Sequence, residues 1–247
     1  MAMVKRRVVM IIAIVCIVLG VVIFSFPHIK QKIYSVNADQ TAKQFDEWCI
    51  GMQEEAFKEP DLVNEASHAR YLPDLYEQIQ EYNEDLFISG QSSFKDAWSY
   101  QGMSFDLTQW GFEDNMFGYI DIPSMDLKLP LYLGATEENM RRGSVQLTET
   151  SLPIGGNNAN CVIAGHRGYH GAAMFRDIEK LQLGDEIYIT NPWDKLTYRV
   201  YELDIIDPTD THKVMIQEGR DLVTLITCHP YRQNYQRYIV YAERVIV

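Results

Sequence analysis

Residues 8–26, VVMIIAIVCIVLGVVIFSF, run for nineteen positions without a charge. At a rise of about 1.5 Å per residue, a helix of this length just crosses the hydrocarbon core of a bilayer. The run divides the chain, because whatever follows must fold as a separate body tethered to it. A buried core helix and a cleaved signal peptide are the rival readings. A core helix of such length rarely lacks a charged edge. A signal peptide has a shorter apolar region that ends in a small-x-small site, whereas here Pro27-His28 follows a long run. Residues 1–32 are therefore expected to form a cytoplasmic tip and an uncleaved membrane anchor. Lys5-Arg6-Arg7 favours a cytoplasmic N-terminus, although Lys30 and Lys32 on the other flank reduce the asymmetry. The protein is thus expected in the cell membrane as a single-pass chain with its body outside.

The charge balance narrows the partners of that body. Residues 1–32 hold five Lys/Arg and no acid, which leaves 17 basic against 34 acidic residues in the remainder. Phosphate binding needs clustered Lys and Arg, so no nucleic-acid partner is expected. Cys16 lies in the apolar run, and Cys49, Cys161 and Cys228 are far apart with no CxxC pair. Neither a disulfide framework nor structural zinc fits that spacing. An odd number of cysteines outside the membrane leaves at least one thiol free, which invites a functional explanation.

Residues 33–115 read as a helical extension. Ala38, Ala42, Phe45, Trp48, Cys49, Met52 and Ala56 recur at helical spacing, as do Leu72, Leu75, Tyr76, Ile79, Tyr82 and Leu86. Two amphipathic helices, antiparallel to each other, are expected over 38–57 and 72–86, with Cys49 in the core. Residues 88–114 show neither helical nor strand period, and so long an irregular segment is usually functional or disordered. Its aromatic residues argue against disorder.

From 116 to 247 the texture changes to short strands: FGYIDI, KLPLYLG, CVIAGH, EIYIT, LTYRVYELDII, LVTLITC and RYIVYAERVIV. Gly155-Gly156, Gly184-Asp185, Asn191-Pro192 and Glu218-Gly219 break them. With only one helical interruption, at about 172–181, this density of strands suggests a mainly β closed barrel rather than a βαβ sheet. His166 and Cys228 fall at strand ends, where a barrel mouth presents its residues.

A nucleophilic cysteine needs a thiolate, a proton donor for the leaving amine and donors for the oxyanion. Cys228 ends LVTLITC, His166 ends CVIAGH, and Arg237 begins the strand after Cys228. A tight return would set the Arg237 guanidinium beside the thiol, where its planar donors suit an oxyanion better than proton transfer. Taken singly, each residue has a plain structural reading. A cysteine ending a strand is usually core, a histidine before a turn is usually structural, and a strand arginine is usually solvated.

TLITC at 224–228 resembles the TLxTC signature of sortases, the transpeptidases of Gram-positive cell surfaces. GYIDIPSMDLKLPLYLGA at 118–135, SLPIGG at 151–156, VIAGHRG at 162–168, MFRDIEKLQLGDEIYI at 174–189 and DPTDT at 207–211 follow the family's order and spacing. The resemblance is strong over about 117–247 and loose over the helical extension. It implies a sortase-type barrel of about eight strands. It also implies catalytic roles for Cys228 as nucleophile, His166 as general acid/base and Arg237 as oxyanion or substrate stabiliser. His170, His229 and Arg232 are rivals by proximity. As strand neighbours, however, Cys228 and His229 would point oppositely, and Arg232 lies in the turn.

The short connection between DPTDT and TLITC lacks the inserted helix of class B enzymes. The helical extension and the segment before GYIDIP resemble class C, the pilin-polymerising sortases. Those carry a lid with an Asp-Pro-aromatic motif, and Asp96-Ala97-Trp98 stands at that position. Trp98 would cover the thiol and Asp96 would pair with Arg237, with Ala97 in place of the stiffening proline. The resemblance implies cleavage of a Leu-Pro-x-Thr-Gly-like sorting signal between Thr and Gly. Transfer then goes to an amine, a pilin lysine or a peptidoglycan cross-bridge, with no metal or organic cofactor. A peptidase using water, a housekeeping enzyme that anchors surface proteins, and an inactive domain that binds sorting signals are the alternatives.

Overall fold

Stretches such as CVIA and LVTLI are apolar at successive positions, so both faces of their strands must be covered. A computed structural model gives the architecture, and the structure describes residues 2–56, 70–91, 102 and 105–246. The strands are β1 (Met116–Ile122), β2 (Leu127–Leu133), β3 (Ser144–Gln146), β4 (Ala159–Ala164), β5 (Glu186–Thr190), β6 (Lys195–Ile206), β7 (Asp221–His229) and β8 (Gln236–Arg244). They close into a barrel in the order β1-β2-β3-β4-β7-β8-β6-β5. The β2/β3 and β4/β7 pairs are parallel and the others antiparallel.

Alternation along each strand divides the apolar residues into two layers. Ile120, Leu129, Leu131, Ile163, Ile189, Val223, Leu225 and Val240 fill the barrel interior. Phe117, Tyr132, Val162, Ile226, Ile239 and Tyr241 face outward into a second cluster, which the N-terminal helices cover. Helix α1 (Ala2–Ala56) contributes Phe45 to that cover, and α2 (Pro73–Ile88) contributes Leu75 and Ile79.

Helix α1 is continuous, running through Pro27 and past residue 32 without a break. Its apolar stretch is exposed along its length and long enough to cross a membrane. From about residue 30 onward the helix meets the barrel. Gln31 accepts a hydrogen bond from the Ala173 N–H at 2.6 Å, and Ala38, Ala42 and Phe45 are buried at helical spacing. Helix α2 starts with Pro73 in its first turn, where a missing N–H costs nothing. Its Asn83 docks it by a reciprocal pair: Nδ2 donates to the Leu152 carbonyl at 3.2 Å, and the Leu152 N–H donates to Oδ1 at 2.7 Å.

Three local features differ from the sequence expectation. Strand β3, three residues long, and helix α3 (Glu137–Arg142), six long, are too short to show a period. A Thr136 N-cap starts α3 by accepting from the Asn139 N–H at 3.1 Å. The helix expected at 172–181 is a 3-10 segment, Met174–Lys180, with non-helical backbone at Phe175 and Asp177. Of the irregular stretch before β1, residues 105–114 lie against the barrel, burying Leu107 and Phe112. Asp96, Ala97 and Trp98 lie outside the described residues.

Candidate active site

Cys228 shares the outward face of β7 with Thr224 and Ile226, because residues two apart point the same way. Its neighbour Ile226 is part of the outer cluster, so the half-buried thiol lies on the outside of the barrel wall near the end of β7. The barrel-mouth expectation is corrected in this respect. The strand end is as expected, but Cys228 lies on the outer face of the barrel wall.

The β7/β8 return is short, with the Gln233 N–H donating to the Pro230 carbonyl at 2.8 Å. It brings Arg237 directly opposite Cys228 in the antiparallel register, and β6 sets Ile206 on the other side of Arg237. Arg237 Nη1 donates to the Asn234 carbonyl at 2.7 Å and to its neighbour's, Gln236, at 2.9 Å. The exposed Asp207 carboxyl, near Arg237, is held below its ordinary range. The Thr209 N–H bond is the main cause, followed by the Thr209 hydroxyl, with the Arg237 charge adding to them.

His166 arrives from the other neighbour of β7. Ala164 of β4 is level with Ile226 in the parallel register. His166 lies two residues beyond Ala164, as Cys228 lies two beyond Ile226. The approach is fixed beyond the end of β4 by the Gly165 N–H donating to the Ile226 carbonyl at 3.2 Å, and by Thr227 Oγ1 donating to the Gly165 carbonyl at 2.7 Å. Gly165 is required here, since a Cβ would sit 2.8 Å from the Phe175 ring. The His166 ring stacks on Tyr169, with centroids 4.8 Å apart and planes within 13°. Burial lowers its pKa from the ordinary value of 6.5, so the resting imidazole is neutral at pH 7.

The rival residues separate from this trio. His170 is exposed, edge-on to Tyr169. Arg232 is exposed in the return and lies over the Tyr231 ring. His229 points to the opposite side of β7 from Cys228, as expected for strand neighbours, and meets Arg167 and Glu179 there. Cys161 is buried inside the barrel, where desolvation pushes its thiol pKa far up. Cys49 is half-buried rather than fully core, packs against the outer cluster, and is pushed up to about 11 by burial. A groove of about 640 Å³ between α1 and the barrel, lined by Phe45, Trp48, Phe112 and Arg142, includes none of the three candidate residues.

One residue of the neighbourhood escaped the sequence reading. Arg167 follows His166, is buried, and donates from Nη1 to the Cys228 carbonyl at 3.2 Å. Only its place in AGHRG, a cation directly after the histidine on an apolar strand, would have singled it out.

Residues 120–245 match the family model described as "Sortase domain". Sortase A of Bacillus anthracis is 34% identical over 130 residues, 53% of this chain and 60% of that one. The matched stretch therefore spans about three fifths of that relative's length. Among solved structures, sortase C of Streptococcus pneumoniae superposes with a TM-score of 0.61 at 27% identity, covering 84% of this chain and 97% of that one. Its study concerns catalysis and pilin substrate specificity. A lid mutant of Streptococcus agalactiae sortase C1 also superposes with a TM-score of 0.61, at 29% identity over 70% of this chain and 87% of that one.

Proposed function

Since the chain belongs to the sortase family and is most like its class C members, we propose that it is a membrane-anchored cysteine transpeptidase that joins pilin subunits. The observation that carries this reading is the register that sets Arg237 opposite Cys228, with His166 two residues beyond Ala164, the β4 partner of Ile226. That trio supplies the nucleophile, oxyanion donor and proton carrier that acyl transfer requires.

In the first half-reaction neutral His166 takes the Cys228 thiol proton, and the resulting thiolate attacks the threonine carbonyl of a Leu-Pro-x-Thr-Gly-like sorting signal. The carbon–sulfur bond forms as the carbonyl π electrons move to oxygen, and the Arg237 guanidinium donates to that oxyanion. Collapse breaks the Thr–Gly carbon–nitrogen bond, and protonated His166 gives its proton to the departing glycine amine. In the second half an amine attacks the thioacyl carbon, His166 accepts its proton, and Cys228 leaves as thiolate. Oxidation states do not change, and each proton and electron pair moves through these three side chains.

Arg237 bonds the carbonyls of its own return, which supports a resting state in which the guanidinium turns toward the thiol when a substrate carbonyl arrives. Asp96 and Trp98, in a segment before β1, are proposed as a lid over Cys228. The likeness to an enzyme studied as a lid mutant supports it. Lys5-Arg6-Arg7 before the apolar helix supports a cytoplasmic N-terminus and an extracellular catalytic body.

The likeness to a Sortase A favours a second reading, anchoring of surface proteins to peptidoglycan. Incubation of the full-length chain in detergent with a sorting-signal peptide and competing amines separates the two. A product linked to a lysine-bearing pilin segment supports pilus assembly, and a product on a cross-bridge peptide supports anchoring. Release of free threonine acid alone, whichever amine is present, would make the protein a peptidase.

A further inference from the structure

Beyond the last backbone bond of β4, from the Gly165 N–H to the Ile226 carbonyl, two side chains link the segments. Thr227 on β7 donates to the carbonyl of Gly165, and Arg167 on the histidine loop donates to the carbonyl of Cys228. Each segment lends one side chain to the other's backbone, and the bonded carbonyls belong to the residue before His166 and to Cys228 itself.

Arg167 is a costly residue to place here. Its side chain is 5% exposed. A buried guanidinium is tolerated only when paired and hydrogen-bonded. Its Nη2 lies 2.5 Å from Glu179 Oε1, and its Nη1 also donates to His229 Nδ1 at 2.8 Å. The Tyr238 ring, on the strand position opposite Thr227, lies 6.0 Å away. Its Nε is buried with no partner among the described residues.

We infer that Arg167 is a positioning residue for acyl transfer: by tying the Cys228 carbonyl to the loop that bears His166, it sets the distance between nucleophile and proton carrier. The inference rests on the reading of Cys228 as nucleophile. Glu179 holds the guanidinium from the 3-10 segment, and the Phe175 N–H of the same segment donates to the His166 carbonyl at 3.0 Å. The acid, the clamp and its counter-ion thus share one loop. Displacement of a reacting group by about 1 Å costs on the order of a hundredfold in rate, so the clamp should be read in kcat rather than in substrate binding.

The test measures kcat and KM of full-length Arg167→Gln, Arg167→Lys, Thr227→Val and Arg167→Gln/Thr227→Val on a fluorogenic sorting-signal peptide. Arg167→Gln should lower kcat by about tenfold to a hundredfold with KM within about twofold. Arg167→Lys should recover little, because one ammonium cannot serve Cys228, His229 and Glu179 in the guanidinium's fork. Because both bonds fix one geometry, the double variant should lose less than the product of the two single losses. Alkylation of Cys228 by a small neutral reagent should stay within about threefold of the parent in Arg167→Gln, since the thiol itself is untouched. A kcat within twofold of the parent, or a loss carried by KM, would overturn the inference. If Arg167→Gln does not fold, Arg167→Lys decides by the same kcat and KM criterion. Activity retained in Cys228→Ala would remove the underlying functional reading, whereas an inactive Cys228→Ala beside a fully active Arg167→Gln removes this inference alone.

Discussion

Cys228 and Arg237 are direct cross-strand partners on β7 and β8, yet the guanidinium is bonded to the Asn234 and Gln236 carbonyls of its own return. The register supplies the proximity that the proposed oxyanion role needs. Loss of one oxyanion donor costs about 3 kcal/mol of transition-state stabilisation. Arg237→Ala should therefore lower turnover by about a hundredfold or more in a peptide transfer assay. Lys at 237 should rescue poorly, because its donors are not planar. Arg232→Ala, an exposed residue over Tyr231, should be mild. The reverse ranking would move the oxyanion role to Arg232.

Burial places the His166 pKa below its ordinary 6.5. A base with a lowered folded pKa takes up its proton later in the native than in the unfolded chain. Its contribution to stability is thus intact above pH 6.5 and is lost as pH falls from 6.5 through the lower folded value. Urea unfolding between pH 7.5 and 5 should show a shallower decline for His166→Gln than for the parent. An NMR titration should put the His166 midpoint below the ordinary 6.5, and a midpoint at or above 6.5 would contradict the assignment.

Gly165 carries the turn from β4 into the histidine loop under the Phe175 ring. A Cβ there would stand 2.8 Å from the ring. Gly165→Ala should destabilise the chain by about 1–3 kcal/mol, the usual cost of overpacking a filled core. It should also slow acyl transfer, because the displaced backbone carries His166. A urea midpoint equal to that of the parent would show that the ring moves aside without cost.

The lid proposed at Asp96-Ala97-Trp98 predicts the order of two variants. Burying an indole against the site contributes about 2–3 kcal/mol, and an exposed Asp96–Arg237 pair at most about 1 kcal/mol. Trp98→Ala should thus speed modification of Cys228 by a small thiol reagent more than Asp96→Ala does, and should raise hydrolysis of the sorting-signal peptide. Equal reactivity of the parent and Trp98→Ala would remove the closed lid.

The strands were legible because alternation and turn residues coincide: EIYIT at 186–190 is β5 residue for residue, and TLITC ends in the cysteine that β7 carries outward. The eight-strand barrel followed from such segments together with the family resemblance. Strand β3 and α3 fell below the length at which a period can be seen. The face occupied by Cys228 was hidden for a different reason. Parity tells which residues share a face, but when both faces are apolar it does not tell which one is inside. The burial of Val223 and Leu225 within the barrel, against Ile226 under the helices, decides it. Arg167 was illegible because its role depends on a carbonyl 61 positions away in the chain.

The central claim is that Cys228 alone forms the thioacyl bond. Cys161 is sealed inside the barrel, and burial suppresses ionisation of Cys49. Cys228 is the cross-strand partner of Arg237, and the β7 stretch before it pairs with the strand that leads to His166. The direct test is intact-mass and peptide-level mass spectrometry of the full-length chain quenched in acid after brief exposure to a sorting-signal peptide. The expected result is a single acyl adduct on the peptide carrying Cys228, present in Cys49→Ala and Cys161→Ala and absent in Cys228→Ala. An adduct on Cys49 or Cys161, or normal product formation by Cys228→Ala, would contradict the account.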